Sequence, residues 1–245
     1  MKLLRFELIT CVFLVCFSFS GFAQKKKIQY NPGYDNRPFH LGFTLGFNKL
    51  DYRIIPSKYL LFAGSTDSVY HIEAQSTPGI HLGIVSDLRM GNHFNLRFLP
   101  GLIFSQRNLV YKMRDFSSTE EEMSFYTYNM KLPSIHIDAP ISVKIRATRI
   151  NNYRMYLLTG MALKYDLETK RVQKENSDYT IRQKPLDYYY EFGFGIDWYL
   201  VYFKLSTEIK FSFGLQDILI KESIEYSQAI EKLKSRMVIF SLHFE

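Results

Sequence analysis

Eight stretches of this chain alternate apolar and polar residues with a period of two, and few folds accept that pattern. In the first, Phe39, Leu41, Phe43, Leu45 and Phe47 share one face, and His40, Gly42, Thr44, Gly46 and Asn48 share the other. Equivalent segments run from Ile80 to Arg89, Phe94 to Ser105, Ser134 to Arg146, Tyr153 to Asp166, Tyr188 to Trp198, Val201 to Phe213 and Val238 to Phe244. A soluble β-sandwich also alternates, but its polar face meets water and is typically rich in Thr, Lys and Glu. Here the second face carries glycines and isolated charges, which suits a cramped interior. The pattern predicts an all-β fold, an eight-stranded antiparallel transmembrane β-barrel of the outer-membrane type. Tyr153, Tyr165, Tyr188, Trp198 and Tyr199 lie at segment ends, where aromatic girdles belong.

The connections agree with this topology. Met90-Gly91-Asn92, Ile150-Asn151-Asn152 and Tyr199-Leu200 are short, and the intervening connections 51–77, 107–131, 167–186 and 215–235 are long. Short turns at one end and long loops at the other are the habit of outer-membrane barrels, and an even strand count puts both termini on the periplasmic side. The loop from Asp217 to Lys234 carries a rough helical stripe of Ile218, Ile224, Ala229, Ile230 and Leu233. A barrel over 39–245 with these four loops, after an extended, mobile lead-in over 24–38, is the expected organisation.

The N-terminus predicts export. Lys2 and Arg5 precede an apolar run from Leu8 to Phe19, and Gly21-Phe22-Ala23 offers small residues for cleavage, which reads as a signal peptide over 1–23. Both cysteines, Cys11 and Cys16, fall inside that segment, so the mature chain is expected to have no disulfide and no thiolate metal site. Beyond it no apolar run reaches the 18 or so residues of a membrane helix, and mean hydropathy is −0.14, as alternation requires. Outer-membrane lipid is the expected surroundings. The net charge of +7 is scattered between segments and suits loops near anionic lipid; for an exported chain, nucleic acid is not an expected partner.

The chemistry-bearing residues point inward by phase. Arg97, Asp138, Lys144, Arg146, Lys164, Glu191, Asp197, Glu208 and Lys210 are expected to form a mutually neutralising lumen network, since unpaired buried charges cost several kcal/mol. A solute channel is a poor fit, because conducting porins have roughly 16–18 strands. Ser134, His136 and Asp138 share a face, but neighbours at i and i+2 lie about 6.7 Å apart along a strand, too far for a catalytic relay. The six histidines show no metal-ligand spacing. No catalytic residue, cofactor, metal or small-molecule substrate is expected. Pro100 and Pro140 sit inside neighbouring segments, where proline interrupts hydrogen bonding, and mark a seam that a partner could use.

Three stretches carry a family resemblance: Phe94 to Asn108 (FNLRFLPGLIFSQRN), Ile137 to Arg146 (IDAPISVKIR) and Glu191 to Leu200 (EFGFGIDWYL). Through them the chain resembles the PorT family of the type IX secretion system of Bacteroidetes-type bacteria. Leu99-Pro100-Gly101 and Asp138-Ala139-Pro140 are the more specific elements; the glycine–aromatic stretch is common to many small barrels. The resemblance implies a non-enzymatic component needed to secrete cargo proteins such as proteases and adhesins, working with other secretion-system proteins. A lipid-modifying outer-membrane enzyme and a structural or adhesive barrel are the alternatives.

Overall fold

The computed structural model describes residues 28–57, 67–115, 124–169, 181–221 and 225–245. The signal peptide read at 1–23 lies outside the described residues. Among the described residues nine strands follow one another: β1 (Phe39–Pro56), β2 (Asp67–Arg89), β3 (Phe94–Phe98), β4 (Gly101–Asp115), β5 (Ser124–Arg146), β6 (Tyr153–Asp166), β7 (Leu186–Tyr199), β8 (Lys204–Gly214) and β9 (Ile230–Phe244). Every pairing is antiparallel, and β1 closes the sheet by bonding both β2 and β9.

The barrel has eight staves, because β3 and β4 are two halves of one. β3 pairs Phe98 with Ser86 and Ile141, and β4 resumes with Gly101 against Gly83 and Asp138. The register is unchanged across the gap. Pro100 has no N–H to give, so the ladder lapses for two residues and then continues. Ile84 N still donates to the Pro100 carbonyl at 2.9 Å, and Leu99 N reaches the Pro140 carbonyl at 3.4 Å. The proline seam therefore interrupts the wall without bulging it.

The outward face over the predicted segments is apolar and uncovered. Phe43, Phe47, Ile141, Met161 and Phe213 are each more than half exposed, which only a hydrocarbon surrounding makes favourable. Phe39 to Phe47 matches the 9–11 residues that a tilted strand needs to cross a bilayer. Tyr153 and Trp198 stand together at the tight-turn end with ring centroids 6.2 Å apart, as a girdle requires. Tyr199 does not join them; it is buried on the inward face.

The strands run far beyond the band predicted for them. β1 continues to Pro56, β2 begins at Asp67, β4 reaches Asp115 and β5 starts at Ser124, so most of 51–77 and 107–131 is sheet rather than loop. The cause is an exchange of faces. Past Asn48 the inward positions of β1 become Leu50 and Tyr52, while the outward ones become Lys49, Asp51 and Arg53. β4, β5 and β9 switch likewise, burying Leu109, Tyr111 and Met113; Met130 and Leu132; and Leu233 and Met237. Above the band the barrel is an ordinary water-facing β structure around an apolar core. A register shift in β2 at Thr77/Ile80 carries its side chains across this change, and a second, at Val69/His71, lies within the extension.

The stretch 215–235 also differs from its expected form. Its helix is a single turn, Glu225–Gln228, and β9 takes over at Ile230. Ile218, Leu219, Ala229, Ile230 and Leu233 are buried in the apolar core, so this segment is a stopper for the long-loop end and not a free lid. Ile224 lies outside the described residues.

Candidate functional site

Inside the membrane band the lumen is filled by ion pairs that join different staves. Arg97 of β3 reaches Asp87 of β2 at 3.0 Å, Glu208 of β8 at 3.1 Å and Glu245 at 3.3 Å. Lys144 of β5 donates to both oxygens of Asp197 of β7 at 2.8 Å. Lys164 of β6 bridges Asp138 at 2.8 Å and Glu191 at 3.1 Å, and Lys210 takes the other oxygen of Glu191 at 2.9 Å. Neutral groups complete the contacts: Tyr156 donates to Glu208 at 2.9 Å, Ser206 to Asp197 at 2.6 Å and Ser212 to Glu191 at 2.7 Å. The Lys144 ammonium also lies 3.8 Å above the Tyr156 ring. Every cation named here is almost fully buried.

Backbone geometry supports this filling. A Cβ on Gly195 would stand 2.5 Å from the Tyr156 ring, so a glycine there is what lets the tyrosine lie across the lumen. Eight of the nine predicted network residues fall in these clusters. Arg146 does not; it lies at the tight-turn end, donating to the carbonyls of Gly91 at 3.1 Å and Asn92 at 3.4 Å. Asp87, Lys204, His243 and Glu245 also belong to the clusters, beyond the nine residues expected from the sequence. Asp87, Lys204 and His243 show the same inward phase as the rest, so that signal was present for them.

A second polar layer lies toward the long-loop end. Arg107 reaches Ser134 at 2.9 Å, Ser235 at 3.2 Å and Asp166 at 3.5 Å, with its guanidinium 4.2 Å from the Tyr52 ring. A cavity of roughly 10 Å³ beside it has room for one water. Ser134, His136 and Asp138 are not brought together. Ser134 accepts from Arg107, His136 faces Asp166 at 3.7 Å, and Asp138 pairs with Lys164.

The tight-turn end is closed by residues 28–38, the described part of the stretch 24–38 that the sequence predicts as an extended, mobile lead-in. Tyr34–Asn36 form one turn of 3-10 helix under the barrel mouth. The Tyr34 ring stacks on His40 at 4.4 Å, and its hydroxyl donates to Glu245 at 3.3 Å. Its half-buried position pushes that hydroxyl above the usual tyrosine range, and the Glu245 carboxylate adds to the shift. Asn31, in the left-handed region at φ 46°, donates to the carbonyls of Leu200 at 3.1 Å and Val201 at 3.2 Å. These contacts to turn residues, together with an Asp35 carboxylate set among arginines, hold in place a segment that has no apolar pattern of its own.

The closed antiparallel sheet with an apolar exterior and a polar lumen has a match at the level of sequence family. The model of the outer membrane protein beta-barrel domain covers residues 22–219. The chain belongs to that family. This outer-membrane barrel is also similar to solved structures. Neisserial surface protein A shares 9% identity over 85% of this chain and 99% of its own, with a TM-score of 0.40. OprG from Pseudomonas aeruginosa shares 11% over 83% and 93%, at 0.38, and the outer membrane protease OmpT from Escherichia coli 8% over 89% and 98%, at 0.37. Likeness at that distance carries no function across. No curated protein matches the sequence.

Proposed function

We propose that this outer-membrane barrel is a non-enzymatic component of the type IX protein secretion machinery, needed for the passage of cargo proteins that travel elsewhere than through its lumen. The observation that supports a non-conducting role is the packing of the lumen by Arg97, Lys144, Lys164 and Lys210 with their carboxylates, capped at one end by residues 28–38 and at the other by an apolar core. An eight-stave barrel has little more width than its own side chains occupy. The secretion role rests on the resemblance to the PorT family in the stretches 94–108, 137–146 and 191–200. In this reading a signal peptide directs export, both termini face the periplasm, and other secretion-system proteins bind at the turn end, the outer loops or the Pro100/Pro140 seam. A rigid barrel that presents surfaces at both rims is suited to such binding.

The test is deletion of the gene, followed by measurement of cargo protein in the medium and of envelope integrity. The reading expects cargo to be retained while the envelope stays intact, with secretion restored by the full chain supplied in trans. Normal cargo release from the deletion strain would contradict it. Hydrolysis of outer-membrane lipid by the purified protein would replace it with the enzyme alternative.

A further inference from the structure

The arginine cluster at the tight-turn end is built around one carboxylate. Arg154 grips Asp35 with both terminal nitrogens, at 3.0 Å to each oxygen, and Tyr199 donates to it at 2.7 Å. Arg149 and Arg146 stand behind at 3.7 and 3.8 Å. The Arg149 guanidinium lies over the Tyr199 ring, 3.7 Å from its centroid, which directs it toward Asp35. The three arginine side chains are at most 10% exposed, whereas Asp35 is 20% exposed. The Nε groups of Arg146 and Arg154 are buried without a hydrogen-bond partner among the described residues. Among the described residues three arginines thus converge on one carboxylate, and Arg154 grips it in the bidentate geometry suited to a carboxylate.

The occupant is held differently from the site. No residue from Ile28 to Pro38 is buried. The segment is retained by polar contacts: Asn152 donating to the Ile28 carbonyl at 3.0 Å, Tyr30 N donating to Asn152 at 2.9 Å, Arg149 donating to the Tyr30 carbonyl, and the Asp35 grip. Apart from the Tyr34 ring, stacked on His40 at 4.4 Å, little apolar surface is lost on release, and the polar contacts exchange with equivalent ones.

We propose that Arg146, Arg149, Arg154 and Tyr199 form a recognition site for an acidic segment of a partner protein, and that Asp35 is a tethered occupant which such a segment displaces. The excess of positive charge favours an incoming segment with more than one carboxylate. Its arrival frees residues 28–38 and uncovers the mouth around Glu245 and Lys204. The inference stands apart from the secretion reading, since it concerns binding by the purified chain.

The probe is a fluorescein-labelled peptide with the sequence of residues 28–38, compared with the same peptide carrying Asn at the position of Asp35. Both are titrated against the full chain in detergent, as wild type and as Asp35→Asn. A tethered occupant competes at an effective concentration of about millimolar, so Asp35→Asn should bind the Asp peptide at least about tenfold more tightly than wild type does. The Asn peptide should bind neither, and Arg154→Gln in the Asp35→Asn background should lose the Asp peptide. Equal binding of the two peptides, or no gain in Asp35→Asn, overturns the proposal. A second readout avoids any folding defect of that variant. A spin label at Gly33→Cys, in a Cys11→Ser, Cys16→Ser background with Asp35 intact, sits where an added Cβ meets nothing within 4 Å. Excess Asp peptide should make this label mobile, and an unchanged spectrum contradicts displacement.

Discussion

The same strands build two interiors of opposite character. Between Phe39 and Asn48, β1 turns apolar residues outward and polar ones inward; between Lys49 and Ile54 it does the reverse. The membrane-band interior holds Arg97, Lys144, Lys164 and Lys210 in ion pairs, and the interior above it holds Tyr52, Leu109, Tyr111, Met113 and Leu233 in van der Waals contact. The surrounding solvent decides which arrangement is stable. In hydrocarbon the outward face gains nothing from polarity, so the lumen is free to be polar provided each charge is paired. In water the hydrophobic effect returns, and the inward face becomes a conventional core. One ladder of hydrogen bonds serves both.

The two interiors should respond differently to substitution. The largest effect is expected where a cation is removed from the band. Arg97→Met leaves Asp87, Glu208 and Glu245 facing one another and should cost about 3–5 kcal/mol, read from urea unfolding in lipid vesicles by Trp198 fluorescence. A loss below about 1 kcal/mol would mean that water already solvates this cluster. Next comes the outer face. Ile141→Arg should cost roughly 2–4 kcal/mol in the same assay. Asn129→Arg, outward on the same strand but above the band, should stay within about 0.5 kcal/mol. Equal costs at the two sites would remove the boundary between the regions.

In the apolar interior, Ile230→Val should cost about 0.5–1.5 kcal/mol, the range for one methylene lost from a packed core. No cost at all would show the stopper to be loosely packed. The smallest effect is expected from a pair removed together. Lys144→Met with Asp197→Leu should restore most of what either change alone costs, leaving a net change of about 1 kcal/mol or less, because the penalty lies in the orphaned charge rather than in the lost attraction. A double variant as unstable as the sum of the singles would give the pair a structural role of its own.

The exchange of faces also explains what could be read from the sequence. The eight staves and the inward phase of their charges follow directly from alternation, because lipid enforces one apolar face throughout the band. The extensions do not. At Lys49 the period of two persists while its apolar partner changes side, so a search for one continuous apolar face ends the strand there. In β2 the register shift at Thr77/Ile80 adds a change of parity. Arg107 fell outside the candidate site for the same reason, since it opens the stretch 107–131 that reads as a loop, whereas Asp166 ends a predicted segment on its inward face. The mouth closure was illegible for a different one: Asp35 is a lone acidic residue in a polar segment, and its partners Arg146, Arg149 and Arg154 are more than a hundred residues away. Only the closed barrel brings them together.

The boundary between the two interiors lies where β1 changes its environment, and a scan along its outward face tests this directly. Single cysteines at Phe43, Leu45, Phe47, Lys49, Asp51 and Arg53, in a Cys11→Ser, Cys16→Ser background, would carry an environment-sensitive fluorophore in vesicles containing brominated lipid. Strong quenching is expected at Phe43 and Leu45, falling away from Phe47 to Lys49, with no lipid quenching at Asp51 or Arg53. Quenching that continued undiminished to Arg53 would place the extension in the bilayer and contradict the two-interior barrel.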